Sequence, residues 1–300
     1  MSRPLRIADE RAPGESRIVP FLYILPAFAV FFTFVLLPML DGAWISFFNW
    51  DGITPRSWAG LANYRELIHD GAVHSAFLHS LVLIVFYSLL PVTLGLVLAA
   101  TLSHTRIRGL TPLRTIVFVP QVIAAVVIGV AWQWVYDPSG PLDAGLRAVG
   151  LGSLSRAWLG DFGFALASVG VIGTWVTTGL CVVLFLAGIQ KIPLSRYEAA
   201  RVDGAGPVKE FYAVTLPALR GELAVALSLT VINALRAFDI IFVTTKGGPG
   251  SSTTVPSLII YQRAFVSGEV GSAAAIAVVL ALVIFTFAAV TTRLVEGQAE

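Results

Sequence analysis

Hydrophobic and polar positions along this chain fall into long blocks rather than short alternations. Apolar runs at about 18–40, 76–102, 115–136, 164–187, 222–243 and 271–292 carry few charges, and roughly 18 or more such residues in a row read as membrane spans. Six transmembrane helices are therefore predicted, in one all-α membrane domain over 18–293. The stretch 1–17 is polar, mixed in charge and rich in turn formers, so it reads as a tail; 294–300 reads as a second. The first run is too long for a signal-peptide core and lacks a small-residue cleavage site, so it is taken as a retained span. Pro26 and Pro38 are expected to bend it.

The polar blocks between runs differ in character. Residues 41–75 hold Trp44, Trp50 and Trp58, which suit a membrane interface, and 137–161 is a Gly- and Ser-rich loop. The longest interruption of the second half is Lys191–Leu219. Ser195 and Glu198 there have the spacing of a capping box, Gly204 is placed to end that short helix, Gly206 and Pro207 to open another, and Leu216 and Pro217 to close it. Ala199, Ala200, Gly204, Ala205 and Gly206 let another backbone approach, while Glu198, Arg201, Asp203 and Lys209 supply charge. A docking knob and an ordinary amphipathic loop both fit this pattern.

Composition sharpens the class. Of the 300 residues 56% are hydrophobic and 13% charged, with a mean hydropathy of +0.82, against about 25% charged in soluble domains. A formal charge of +2 points to no nucleic-acid partner, and Cys181, the single cysteine, admits no intrachain disulfide. The distribution of charge says more. Thirteen Lys and Arg fall on the side holding both termini and the Glu198 loop and six on the other, which predicts that both termini and this loop, between spans four and five, are cytoplasmic.

Candidate chemistry is sparse. Arg236 lies inside span five, and Asn233, Arg236 and Asp239, three apart, make a slanted stripe on a continuous helix. That stripe reads either as the lining of a substrate path or as an Arg236–Asp239 pair that snorkels toward the outer interface or ties helices together. In span four Thr174, Thr177 and Thr178 share a face and Trp175 offers an apolar platform to a sugar ring, but intramembrane threonines also bond to their own backbone. His69, His74 and His79 are five apart, so successive rings turn by about 140° and share no face for a metal. The GGPGSST run lacks the Lys that a phosphate loop needs after its glycines. The chain is not expected to be an enzyme or to hydrolyse ATP alone.

Several motifs carry a resemblance. Glu198-Ala199-Ala200, Asp203-Gly204-Ala205 and Leu216-Pro217 resemble the EAA loop of ABC-importer membrane subunits of the carbohydrate-uptake type. Gly60, Leu61, Asn63 and Tyr64 fit that family too, as do Phe238, Asp239, Thr245, Gly247, Gly248 and Pro249. The chain departs from its pattern at Gly206 and Asp143, where relatives commonly carry a polar capping residue and an asparagine. The chain is similar to the first permease subunit of glycerol-phosphate and multiple-sugar importers. That resemblance implies a heterodimer with a second permease subunit, two cytoplasmic ATP-binding subunits that hold ATP and Mg, no cofactor in this chain, and an extracytoplasmic solute-binding protein docking near Gly247, Gly248 and Pro249. It also implies a multi-pass protein of the cell membrane, in contact with lipid, that moves a sugar by alternating access. An ion-gradient-driven secondary transporter is the alternative, and a membrane-embedded enzyme or assembly factor a more distant one; convincing inverted repeats, which the former would favour, are not evident.

Overall fold

The computed structural model describes residues 19–104 and 110–296. The two predicted tails and the linking residues Arg106 and Arg108 lie outside, apart from the C-terminal stretch up to Glu296. The fold is almost entirely helical. Five helical stretches are long and apolar enough to cross a membrane: Phe21–Ile45, Gly71–Ser103, Ala165–Ile189, Arg220–Thr244 and Val270–Thr291. These correspond to predicted spans one, two, four, five and six. Predicted span three is not one rod. It is the pair Arg114–Val122 and Ala125–Val135, bent by 106°, and counting that pair as one span brings the total to six. A short antiparallel ribbon, Phe48–Asn49 against Ser57–Trp58, is the departure from an all-α chain.

Proline shapes three of the helices in the same way. Five-residue π-helical turns at Phe32–Leu36, Val85–Leu89 and Phe211–Thr215 each end two residues before Pro38, Pro91 and Pro217. A proline has no N–H and its ring clashes with the carbonyl four residues back, here Phe34, Tyr87 and Ala213; the wider turn accommodates that clash without ending the helix. Pro217 therefore does not close the second short helix as the sequence suggested. The chain runs on through Leu216–Ala218 and, past Leu219, into span five. In span two the widened turn also frees a carbonyl, and Thr174 of span four donates its hydroxyl to Phe86 O at 2.6 Å.

Spans two and four pack most closely. A Cβ on Gly95 would lie 2.5 Å from the Cβ of Cys181, so only glycine permits this approach. Around it Val92, Ala99, Val182, Phe185 and Leu186 are buried together with Leu219 and Ala226 of the span-five region. A second cluster joins Leu83 and Tyr87 to Val169, Ile172, Ile240 and Ile241. The bend of span three follows from packing: its second half leaves span four to lie against Asp239–Thr244, where Gln133 Nε2 donates to the carbonyls of Val243 and Thr244 at 2.9 and 3.1 Å.

The end of span two far from the Glu198 loop is held by charge. Asn63 is buried and donates from Nδ2 to Ser46 O and Phe48 O at 2.8 and 3.0 Å, so the Gly-Leu-x-Asn-Tyr stretch pins the ribbon. Arg263 binds Asp70 and Ser272 Oγ, and lies 3.7 and 3.8 Å from Glu66 and Glu269. Burial alone would raise the Asp70 pKa, but the N–H groups of Ala72 and Val73 and the Arg263 charge outweigh it and hold the carboxyl below its ordinary value. A lowered folded value makes this carboxylate stabilising above its ordinary 3.8, a contribution lost as acidification carries the pH down through the folded value. In detergent, Asp70→Asn should therefore unfold at a lower temperature than the wild type at pH 7, the two midpoints converging below about pH 4.

Candidate coupling loop and polar break

The Lys191–Leu219 block folds as a helix–turn–helix at one end of the bundle. Leu194–Val202 forms the first helix, with Pro193 at its N-cap. The expected Ser195–Glu198 capping box is absent because the N-cap is Pro193, two residues earlier, which places Ser195 inside the first turn; no side chain caps it. Its C-terminus closes as the sequence suggested. Gly204 has φ +79°, Ala205 N–H donates to Ala200 O at 2.9 Å and Gly204 N–H to Arg201 O at 3.0 Å, a left-handed cap that satisfies the last carbonyls. Gly206 is the N-cap of the next helix, which opens on Pro207, again without a side-chain cap.

The base of this hairpin is locked. Arg201 grips Glu210 with two bonds, Nε to Oε1 at 2.7 Å and Nη2 to Oε2 at 3.3 Å, and the Glu210 side chain is 5% exposed. Tyr197, buried beside it, shares a hydrogen bond with Thr215 at 3.1 Å, and Lys191 pairs with Glu222 at 3.1 Å. The Glu210 hydrogen bonds and Coulomb attraction raise the Arg201 pKa further, with a small push from Glu198. Sequence reasoning passed over Glu210 and Thr215. The signal was present in Arg201 and Glu210, opposite charges bracketing a Gly-Ala-Gly turn.

The tip of the hairpin stays open. Glu198, Ala199, Asp203, Gly204 and Gly206 are exposed, Ala200 and Ala205 half-buried, and Val202 and Val208 are 88% and 72% exposed. Above it an open cleft of about 830 Å³ runs between Val97, Thr101, Pro207, Phe211 and Tyr212.

Span five is interrupted halfway. Its first helix ends at Leu235, Arg236 and Ala237 follow, Phe238 adopts φ −144° and ψ −61°, and a new helix starts at Asp239. The continuous helical stripe predicted for Asn233, Arg236 and Asp239 is thus broken between its second and third members. All three side chains are nevertheless exposed, and Arg236 and Asp239 do not pair with each other.

In span four Thr174 Oγ1 donates to Phe86 O and lies 3.1 Å from Gly170 O, Thr178 Oγ1 donates to Thr174 O at 2.7 Å, and Thr177 is buried. The Thr174 and Thr178 hydroxyls serve the backbone of the bundle. Trp175 is 44% exposed and meets Trp132 edge to face at 5.7 Å. The sequence-predicted histidines stay apart in function: His69 Nδ1 lies 2.8 Å from Arg65 O, His79 Nδ1 2.8 Å from Thr254 O, and His74 is exposed.

The turn after span five is tightly cross-braced. Thr245 and Thr253 hydroxyls lie 2.7 Å apart, Thr253 Oγ1 donates to Gly248 O at 2.8 Å, and the Gly248–Pro249 bond is cis. Gly247 is buried, whereas Gly248 and Pro249 are half-buried. Asp143 of the neighbouring loop uses both carboxylate oxygens, accepting from Ser155 Oγ and, at 2.8 Å, from Trp158 Nε1; an asparagine would offer one acceptor. The Ser155 bond and then the Trp158 bond lower its pKa.

Comparisons with known proteins agree with this architecture. Residues 92–297 match the family described as binding-protein-dependent transport system inner membrane component. The probable ABC transporter permease protein YurN of Bacillus subtilis is 37% identical over 273 residues, covering 90% of this chain and 93% of that protein. The trehalose/maltose transport system permease protein MalF of Thermococcus litoralis is 34% identical over 271 residues, covering 89% and 90%. In fold, the chain resembles one from a bacterial ABC transporter involved in import of the acidic polysaccharide alginate, with a TM-score of 0.81 at 22% identity and coverage of 94% and 96%. The matched segment runs from the middle of span two to the end of span six, and the relatives extend over about nine-tenths of the chain: it belongs to the family of binding-protein-dependent transport system inner membrane components.

Proposed function

We propose that this chain is one membrane-spanning subunit of an ATP-driven sugar importer, forming half of the translocation path with a second permease subunit and using the Glu198 loop to couple to cytoplasmic ATPase subunits. The observation that carries the reading is the locked hairpin with an open tip. The Arg201–Glu210 grip and the Tyr197–Thr215 bond make its base rigid, so force applied at Glu198 and Val202 passes into span five through Leu219 and Arg220. A floppy loop would dissipate that displacement.

In this reading both termini and the hairpin are cytoplasmic. Two partner subunits bind ATP and Mg, close on each other and push the hairpin; no step of ATP hydrolysis belongs to this chain. The opposite end faces a solute-binding protein, which meets the braced turn at Gly247, Gly248 and Pro249. Asn233, Arg236 and Asp239 face the second permease across a wet path, because an unpaired charge facing lipid at mid-bilayer costs roughly 2.5–3.5 kcal/mol. Arg236 and Asn233 donate to sugar hydroxyls, and Asp239 accepts from them. Thr174 supports that path by holding spans two and four together, Thr177 and Thr178 belong to the same face, and Trp175 presents its ring. Family membership favours this reading over the ion-gradient transporter.

Copurification tests it. The tagged chain, extracted from its host in mild detergent, is expected to bring down a second permease and an ATPase, and to lose the ATPase when Glu198 is reversed in charge. Uptake should be blocked by vanadate and survive an uncoupler. Recovery of the chain alone, transporting in vesicles without ATP, would sink the proposal.

A further inference from the structure

Three of the membrane spans end at one cavity. Ser103 is the last residue of Gly71–Ser103, Arg114 the first of Arg114–Val122 and Ile189 the last of Ala165–Ile189, and all three line a recess of about 290 Å³. Gln190, the C-cap of span four, and Leu194 and Arg201 of the first hairpin helix complete it. Small-molecule pockets run from roughly 300 to 1,000 Å³, so this space suits a small polar group better than a whole solute. Apolar spans stop where the hydrocarbon stops. Three span ends meeting here therefore set the cavity at the depth of the lipid headgroups.

The cavity gathers hydrogen-bond donors and, among the described residues, no carboxylate. Arg114 makes no ion pair or hydrogen bond with them, and its Nε is buried without an acceptor. Arg201 gives Nε and Nη2 to Glu210 but keeps both Nη1 protons. The Gln190 amide is exposed and makes no side-chain bond among the described residues. The nine-residue helix Leu194–Val202 opens here with no side-chain cap, so the positive end of its dipole adds to the same field. The carbonyls at the end of span four do not oppose it. Those of Leu186, Gly188 and Ile189 already accept from the N–H groups of Gln190, Lys191 and Ile192. A half-buried guanidinium without an acceptor is unfavourable, so an anion gains more here than at an exposed arginine.

We infer that this cavity binds a phosphate group, supplied by an anionic phospholipid of the leaflet at the hairpin end of the bundle. A phosphate presents several acceptor oxygens to donors arriving from different sides, which matches Arg114, the Nη1 of Arg201 and the Gln190 amide. A single carboxylate from a neighbouring protein pairs with one guanidinium in one plane and leaves the other donors unmet. Basic pockets between span ends are headgroup sites for this reason. Free phosphate shares the chemistry but has no acyl chains, and the depth of the cavity, with Ile189 and Leu194 as its apolar wall, favours the lipid. Arg201 belongs both to the cavity and to the grip on Glu210, so the lipid touches the base of the hairpin as well as the span ends. This site goes beyond the importer reading and does not depend on the solute.

The test uses the complete transporter, purified in mild detergent and stripped of bound lipid. Native mass spectrometry counts what it takes up from phosphatidylglycerol and from diacylglycerol, which has the chains without the phosphate, and equilibrium dialysis with labelled inorganic phosphate reads the free anion. The wild type is expected to hold one phosphatidylglycerol that Arg114→Gln binds about tenfold or more weakly. Arg196→Gln, which removes an exposed charge from the same hairpin helix outside the cavity, should bind as the wild type does. Gln190→Leu should lose several-fold, and it decides the matter if Arg114→Gln fails to assemble. Equal phosphatidylglycerol binding by the wild type and the cavity variants, diacylglycerol held as tightly, or an equal loss in Arg196→Gln would each overturn the site. Inorganic phosphate bound in place of the lipid, and lost in the same variants, would overturn the lipid as its source.

Discussion

Glu198→Lys is expected to leave the protein inserted and folded and to reduce ATP-driven uptake roughly 100-fold or more, the scale of placing like charges across a docked interface. The carboxylate is exposed on the outer side of the Leu194–Val202 helix and makes no hydrogen bond or ion pair among the described residues. Reversing it therefore costs this chain little, since surface changes of this kind stay within about 0.5 kcal/mol. The loss would come from the partner. Uptake in intact cells or in reconstituted vesicles loaded with ATP, normalised to the amount of protein in the membrane, checks it; normal uptake would remove the coupling role from this residue. Glu198→Gln, which drops the charge without reversing it, should fall between the two.

Gly204→Pro should have an effect of similar size through a different cause. Gly204 sits at φ +79°, in the left-handed region, and its N–H donates to Arg201 O. Proline fixes φ near −65° and has no N–H, so the turn must reorganise at a cost of roughly 2–3 kcal/mol. The two short helices would then splay, and the Arg201–Glu210 grip would open. The glutamate, its side chain 5% exposed, would lose both bonds to Arg201. Gly204→Ala, which keeps the N–H and pays only the left-handed strain, should retain a substantial part of the uptake. Equal loss in both variants would show that the site needs the absence of a side chain for docking rather than the turn for shape.

The placement of the hairpin between long apolar runs was legible because turn chemistry is local. Gly204 after a helix and Gly206-Pro207 before the next specify a cap and a start whatever surrounds them. The capping box failed by two residues. Ser195 has the right spacing to Glu198, but Pro193, with extended backbone and no need of a donor, took the N-cap position first. What locks the hairpin was legible only in outline: opposite charges bracket the turn, but Arg201 and Glu210 sit nine residues apart and meet only when the turn brings them together.

The polar break divides in the same way. That charges at Arg236 and Asp239 should avoid lipid is an expectation the sequence supplies through the cost of charge in a membrane. That the helix stops between Arg236 and Asp239 was not, for nothing in that stretch is a strong helix breaker. The restart at Asp239 is held from outside, by Gln133 reaching the carbonyls at the end of the new helix and by the second half of span three lying against it. Equally hidden was the contact of Phe238 with Tyr261, whose rings lie 5.6 Å apart across 22 intervening residues and a braced turn.

Alone, the sequence determined that the chain is a helical membrane protein, where its apolar runs lie and which loop carries small and charged residues. Hydropathy over some twenty residues and the conformations of glycine and proline need no tertiary partner to act. Only the tertiary structure decided where helices bend, widen or break. Those choices turn on contacts between distant segments, such as Thr174 meeting the freed carbonyl of Phe86 and Gln133 capping the short helix at Thr244, and a residue's own neighbours hold no record of them.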